Sequence, residues 1–446
     1  MQPQHIRLLY SVRQRLALPL TAVSLMVLLL ACTLMTSFSG LQTVAFTAVV
    51  AYLLSTVAFW WKKTSARSGL IIFTFCLLAL GAMGKLGEIT KPIIFTRYLD
   101  VFWLLLGIGL LRQVMDALRL NEVLSHLLVQ HKPQQLTLLI TGLTAFFTWP
   151  MSLGAIPLML DSLKSVVVPQ RNLATIVTRM VCITMVLMPT TIGAAAVWSA
   201  MPGLSLLKAA LFGIPLFLFS IILNQRTPVY AVPTESPPTS QSSQTWRIVM
   251  FIGLFWSIFL TALLVLRLNA LQSIALTSGG MFVVVKLTDK RGLLTDGLTT
   301  AAQGISGEVL LLLACSLLST TCLLFIPALP DWFGQELGGL MDWQRYAIIL
   351  FVLPMFGVLG LHPLILFSLA WSIFSPYMQG GIADYQVWIC LFIATQLLSP
   401  VSINSVFAAN SLQVSTLETS FRMHTRYVLL FNTFALIYLS VIPVIL

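Results

Sequence analysis

Apolar runs separated by short polar punctuation make up the chain from end to end. Runs of roughly 17–25 residues match the length a helix needs to cross the hydrocarbon core of a bilayer. They place spans at about 16–36, 41–61, 68–84, 95–112, 172–200, 205–224, 248–267, 270–287, 305–326, 386–411 and 425–446. The pattern predicts an all-α polytopic membrane protein with about eleven transmembrane helices. Two more apolar segments, about 136–163 and 345–375, are interrupted by proline. The first contains Trp149-Pro150-Met151-Ser152-Leu153-Gly154 and the second Gly360-Leu361-His362-Pro363. Both predict re-entrant hairpins that enter and leave on one side of the membrane.

The stretch Asn224–Trp246 is rich in Pro, Ser, Thr and Gln. It gains little by packing and reads as a flexible cytoplasmic linker. The chain then divides into an N-terminal tail and first span (1–40), a first repeat (41–224), the linker (225–247) and a second repeat (248–446). The halves match in order. Asp100-Val-Phe-Trp-Leu-Leu-Leu-Gly parallels Glu308-Val-Leu-Leu-Leu-Leu-Ala-Cys. Each is followed by an amphipathic stretch (Gln113–His131 and Pro327–Trp343), a hairpin, a span broken near its middle or end, and a closing span. An odd number of spans per repeat inverts the second copy. Inverted repeats with broken helices are an architecture of secondary transporters.

Composition agrees. The chain is 58% hydrophobic and 9% charged, against roughly 25% charged residues in a soluble domain. Lipid must cover most of its surface. The net charge of +11 would raise nucleic acid in a soluble chain. Here Lys and Arg sit in short loops, where they set orientation and meet anionic lipid headgroups, and no nucleic-acid partner is expected. With both hairpins re-entrant, Arg7, Arg13, Arg15, Lys62, Lys63, Arg67, Arg112, Arg119, Lys132, Lys164, Arg171, Arg226, Arg247, Lys286, Lys290, Arg291, Arg422 and Arg426 share one side. Lys85, Lys91, Arg97, Lys208, Arg267 and Arg345 are the exceptions. The positive-inside distribution then puts the N-terminus and linker in the cytoplasm and Leu446 outside the cell inner membrane. The basic segment Met1–Arg15 precedes an apolar run too long for a signal-peptide core, so the first span is read as retained. All six cysteines lie in apolar segments without a C-x-x-C pair, so neither disulfide nor metal is implied.

The proline-centred breaks carry the functional signal. An interrupted helix at membrane depth must face protein or a water-filled cavity. Pro189-Thr190-Thr191-Ile192-Gly193 offers two hydroxyls and a glycine; Ser399-Pro400-Val401-Ser402-Ile403-Asn404 offers two hydroxyls and an amide. The bland alternative is a proline kink whose hydroxyls satisfy freed carbonyls. Their matching places favour a binding role for Thr190, Thr191, Gly193, Ser399, Ser402 and Asn404. At the hairpin tips, Ser152 and Gly154 are added as substrate contacts. Half-helix N-termini there suit an anion. His362 is an ion-coupling candidate, because imidazole titrates near neutrality, or a neutral ring satisfied by a local carbonyl. Asp100 and Glu308 each open an apolar helix, which ordinary dipole compensation explains. Arg179 lies inside a span and is expected to snorkel toward the cytoplasm. No nucleotide-binding loop, metal-ligand cluster or nucleophile–base pair is legible, so no catalytic residue is assigned and an enzyme is not expected.

The order of scaffold span, amphipathic arm, hairpin, broken span and closing span, twice over, resembles the ion transporter superfamily, in particular the divalent anion/sodium symporters and arsenite-carrier relatives. The resemblance runs from about Leu41 to Leu446, and local texture at Gly107–Leu120 and Ala209–Leu216 is similar to theirs. It implies a homodimer with an elevator-type transport domain. Symporters of that family carry Ser-Asn-Thr at both hairpin tips; this chain has Trp149-Pro150-Met151-Ser152 and Leu361-His362-Pro363 instead. The expected function is secondary active transport of a small organic or inorganic anion, with proton or sodium coupling or exchange and no cofactor beyond the transported ion. Two other classes stay open: a membrane component that partners another protein, and an intramembrane lipid-modifying enzyme.

Overall fold

Residues 20–32, 40–60, 63–119, 124, 133–152, 155–162, 169–189, 191–227, 242–288, 294–325 and 331–445 are described in the computed structural model. Among them the chain is helical throughout, with no strand. The first half holds α1 (Leu20–Cys32), α2 (Leu41–Trp60), α3 (Thr64–Ala82), α4 (Pro92–Thr96) and α5 (Leu99–Ala117). It continues with α6 (Pro133–Met151), α7 (Ala155–Ser162), α8 (Gln170–Ile183), α9 (Ile192–Ala200) and α10 (Leu206–Gln225). The second half holds α11 (Ser242–Leu264), α12 (Ala270–Thr288), α13 (Leu294–Gly304), α14 (Ser306–Phe325) and α15 (Asp331–Gly339). Then come α16 (Asp342–Ala347), which runs through a π turn into α17 (Leu353–Val358), α18 (Pro363–Phe374), α19 (Ile382–Leu398), α20 (Ile403–Leu412) and α21 (Met423–Ile445).

This is an all-α polytopic membrane protein. Among the described residues six stretches are long and apolar enough to cross a membrane: Ser65–Ala82, Pro92–Ala117, Leu206–Gln225, Ala270–Leu287, Ser306–Phe325 and Ile382–Leu412. Five further apolar helices are shorter, and two of these, Gln135–Trp149 and Pro363–Tyr377, lie in the hairpins. The expected span 172–200 is not among the six, because the break divides it into α8, of 14 residues, and α9, of 9, each too short to cross alone. Ile71, Phe75 and Leu78 stand exposed along one stripe of α3, a surface suited to lipid. Two boundaries differ from expectation. Helix α5 continues to Ala117, well into the first amphipathic stretch. Helix α11 starts at Ser242, so the last turn of the expected linker is helical; most of that linker lies outside the described residues.

Packing follows an exchange between the halves. Helix α3 lies along α14, and α12 lies along α5. Helix α4 meets α14 as α13 meets α5; α8 meets α20 as α19 meets α9; α7 meets α20 as α18 meets α9. Close helix approach explains the first of these pairs. A Cβ on Gly69 would stand 2.9 Å from the Leu311 Cα, and one on Gly107 would stand 2.8 Å from the Ala275 Cα. With no hydrophobic driving force between helices in lipid, such small-residue contacts let backbones pack closely.

Candidate functional site

Both broken spans interrupt where the proline pattern places them. Helix α8 tightens into a 3-10 turn at Thr184–Val186, and the chain leaves helical geometry before α9 begins at Ile192. Pro189 cannot donate a backbone bond and disfavours helix in the residue before it. Thr191 caps α9: its buried hydroxyl accepts the Ala194 N–H at 3.3 Å. Gly193 sits under the Phe392 ring, where a Cβ would come within 2.7 Å of Cδ1. The freed Val186 carbonyl is taken by the Gln386 side chain, whose Nε2 donates to Val186 O (2.9 Å) and to Ala209 O (2.8 Å). Thr190 lies outside the described residues.

The second break, Ser399–Ser402, closes on itself. The Ser402 hydroxyl donates to the Gln396 carbonyl (2.7 Å), accepts the Ser405 N–H (3.2 Å) and lies 2.9 Å from the Ser405 hydroxyl. Ser405 in turn donates to Ser399 O (2.9 Å), and Ser399 donates to Leu361 O at the second hairpin tip (3.1 Å). The Asn404 amide donates to Cys182 Sγ, which ties α20 to α8 across the two halves. Its Oδ1 is buried without a partner among the described residues.

The first hairpin differs from the expected proline break. Pro150 is inside α6, near its C-terminal end, where it forfeits a single helical bond. The helix stops at Ser152, whose φ of +52° is the left-handed conformation that closes helices. Ser152 is buried and its hydroxyl has no partner among the described residues; Gly154 lies outside them. In the second hairpin the turn falls at Gly360, with φ of +99°. His362 caps α18, its Nδ1 accepting the Leu364 N–H at 3.3 Å. Its Nε2 is buried and unpartnered among the described residues.

A cavity of about 480 Å³ lies where α9 and α20 meet α5, α13 and α14. Ile192 and Ile403, the first residues after the two breaks, both line it. Its polar wall comes from the other side: Arg112, Gln113 and Asp116 of α5, Thr300 of α13 and Glu308 of α14. Thr191, Ser402 and Asn404, the chain neighbours of Ile192 and Ile403, are buried and do not line it. The cavity therefore touches both breaks through their apolar neighbours and carries its charge on helices that the sequence treats as scaffold. Arg112 reads in sequence as a cytoplasmic loop charge and Glu308 as dipole compensation, and neither is singled out there as a site residue.

Arg179 does not snorkel. It is buried, with Nε on His424 Nδ1 (3.4 Å), Nη1 on Thr227 Oγ1 (3.2 Å) and Nη2 on the Met423 carbonyl (3.0 Å). Its guanidinium stacks on Tyr427, 4.5 Å from the ring centroid. The group clamps α8 to α21 and to the end of α10. Buried His424 is a second histidine inside the bundle, not singled out in the sequence.

No family model matches the chain, and no curated protein matches it. Among solved structures, the chain is similar to the Alcanivorax borkumensis YdaH transporter, with a TM-score of 0.54 and 14% identity. The likeness covers 84% of this chain and 97% of that one. The chain thus shares the fold of a membrane protein solved as a transporter.

Proposed function

We propose that the protein is a secondary active transporter of the cytoplasmic membrane that carries a small organic anion by an elevator-type movement. One observation carries this reading: the first residues after two separate helix breaks line a single cavity whose other wall is formed by α5, α13 and α14. Broken helices at membrane depth are stable only against protein or water, and in inverted-repeat transporters such breaks bracket the substrate. The exchange-related packing of the halves supports an inverted repeat. The YdaH likeness supports a transporter fold. The cavity volume falls in the range of roughly 300–1,000 Å³ typical of small-molecule sites and favours an organic over an inorganic anion.

In this reading the hairpins and broken spans (α6–α9 and α16–α20) move against α3, α5, α12 and α14. Thr190, Thr191, Gly193, Ser399, Ser402 and Asn404, with Ser152 and Gly154 at the first tip, shape the moving wall. His362 is the coupling candidate, with a proton or sodium ion as the coupled species. The protein works as a homodimer, with its N-terminus and linker in the cytoplasm. The test is counterflow in proteoliposomes against a panel of carboxylates, with and without sodium and with an imposed pH gradient. Accumulation of a labelled anion, abolished by unlabelled competitor, is the expected result. Vesicles that exchange nothing in the panel under any gradient contradict it.

A further inference from the structure

The charges on the cavity wall are mixed. Arg112 and Asp116 stand one turn apart on α5, yet neither side chain makes a hydrogen bond or ion pair with any described residue, and both are exposed. Glu308 has one long contact, Oε1 to Ser65 Oγ at 3.5 Å, and its Oε2 is buried without a partner. Lys63 lies behind Glu308 but does not line the cavity. Its ammonium donates to the Gln303 carbonyl (3.0 Å) and to the Gly304 carbonyl. Burial pushes the Lys63 pKa down, against the opposing pull of Glu308. Gln113 is also committed, donating to Gly297 O at 2.7 Å. The wall thus offers one available guanidinium and two carboxylates.

A simple anion entering this space meets Arg112 and the positive N-terminal ends of α9 and α20, but also two like charges, exposed Asp116 and half-buried Glu308. Like charges oppose binding, most where the carboxylate is shielded from water, at Glu308. A molecule that also carries a cation removes the conflict, because its ammonium answers Asp116 and Glu308. Resting on the transporter reading above, we propose that the carried molecule is amphoteric: an organic anion that also bears a protonated amine. Its anionic group lies toward Arg112 and the post-break helices, its ammonium toward Asp116 and Glu308. Its carbon skeleton lies against Leu105, Ile108 and Phe407, which complete the cavity.

The test uses the full-length purified protein and three matched probe series: ω-amino acids from β-alanine to 8-aminooctanoate, the corresponding fatty acids, and the corresponding alkylamines. Binding is read by thermal shift and transport by counterflow, for wild type, Arg112→Gln and the double variant Asp116→Asn/Glu308→Gln. Arg112 and Asp116 hold nothing else in place, and elution as a monodisperse species checks each fold. At least one ω-amino acid is expected to bind wild type about tenfold or more tightly than its fatty acid and its amine. The double variant should reverse that preference toward the fatty acid, and Arg112→Gln should reverse it toward the amine. Fatty acids that bind and are carried as well as their ω-amino counterparts, or a double variant with unchanged preference, overturn this inference while leaving anion transport standing. Failure of all three series to bind or move overturns both.

Discussion

The two helix breaks occupy exchange-related places and stand beside one cavity, yet different chemistry holds them open. The second, Ser399-Pro400-Val401-Ser402, is held mainly by hydroxyls at the break, Ser402 on Gln396 O and Ser405 on Ser399 O, with Ser399 reaching Leu361 O at the second hairpin tip. Thr419 adds a further bond to Ser405 O at 2.9 Å, from the turn leading into α21. Among the described residues the first break has a single side-chain capping contact of its own, from Thr191, and takes its main support from elsewhere. Gln386 reaches across from the second half to the Val186 carbonyl at the break and to the Ala209 carbonyl of α10, and Gly193 and Gly213 leave room for Phe392 and for the Val186 carbonyl. One interruption is stabilised locally and the other by its partner half. A proline break in a membrane helix therefore needs a donor for each freed carbonyl, but that donor need not come from nearby sequence.

The contrast gives an ordered series of effects on stability. Gln386→Leu should do the most damage, since it removes two buried hydrogen bonds and leaves the Val186 carbonyl at the break without its side-chain donor, at about 1–3 kcal/mol for that group. The outcome to measure is a large loss of thermal stability in detergent, and a loss no greater than that of Ser402→Ala removes the claim that the first break depends on the other half. Ser402→Ala should cost less, about 1–2 kcal/mol, near the upper end for hydrogen bonds inside membrane proteins. Thr191→Ala should cost least, about 0.5 kcal/mol, as it loses one long cap contact. If Thr191→Ala proves as damaging as Ser402→Ala, the two breaks are stabilised alike and the comparison fails.

How much was legible in sequence follows the same division. The breaks were readable because proline acts on its own residue and the one before it, inside runs otherwise uniformly apolar. Thr191 and Ser402 read in sequence as binding residues and His362 as a coupling residue; that each caps the helix that follows it is visible only in the structure. Pro150 misled because a proline near the end of a helix costs little, and the true stop, Ser152, depends on a backbone angle that composition does not announce. The cavity was not legible at all. Its charged wall joins Arg112 and Asp116 to Glu308 across nearly two hundred positions, and nothing local marks Arg112 as different from the neighbouring loop arginines. Gln386 was missed for the same reason: an amide in an apolar span reveals a need for partners, not where they lie. Arg179 was misplaced because its partners come from α10 and α21, distant in sequence, and they make burial tolerable where snorkelling was expected.

The central claim is that both breaks wall one substrate cavity and move together. Sided labelling of Ile192→Cys and Ile403→Cys tests it most directly, in a background with the six native cysteines replaced. In sealed vesicles, a thiol reagent that cannot cross the bilayer should modify both positions from the same aqueous side. Adding an ω-amino acid that is carried should slow both reactions in parallel. Modification from opposite sides, or protection of one position without the other, would contradict a shared cavity and leave the two breaks as separate kinks.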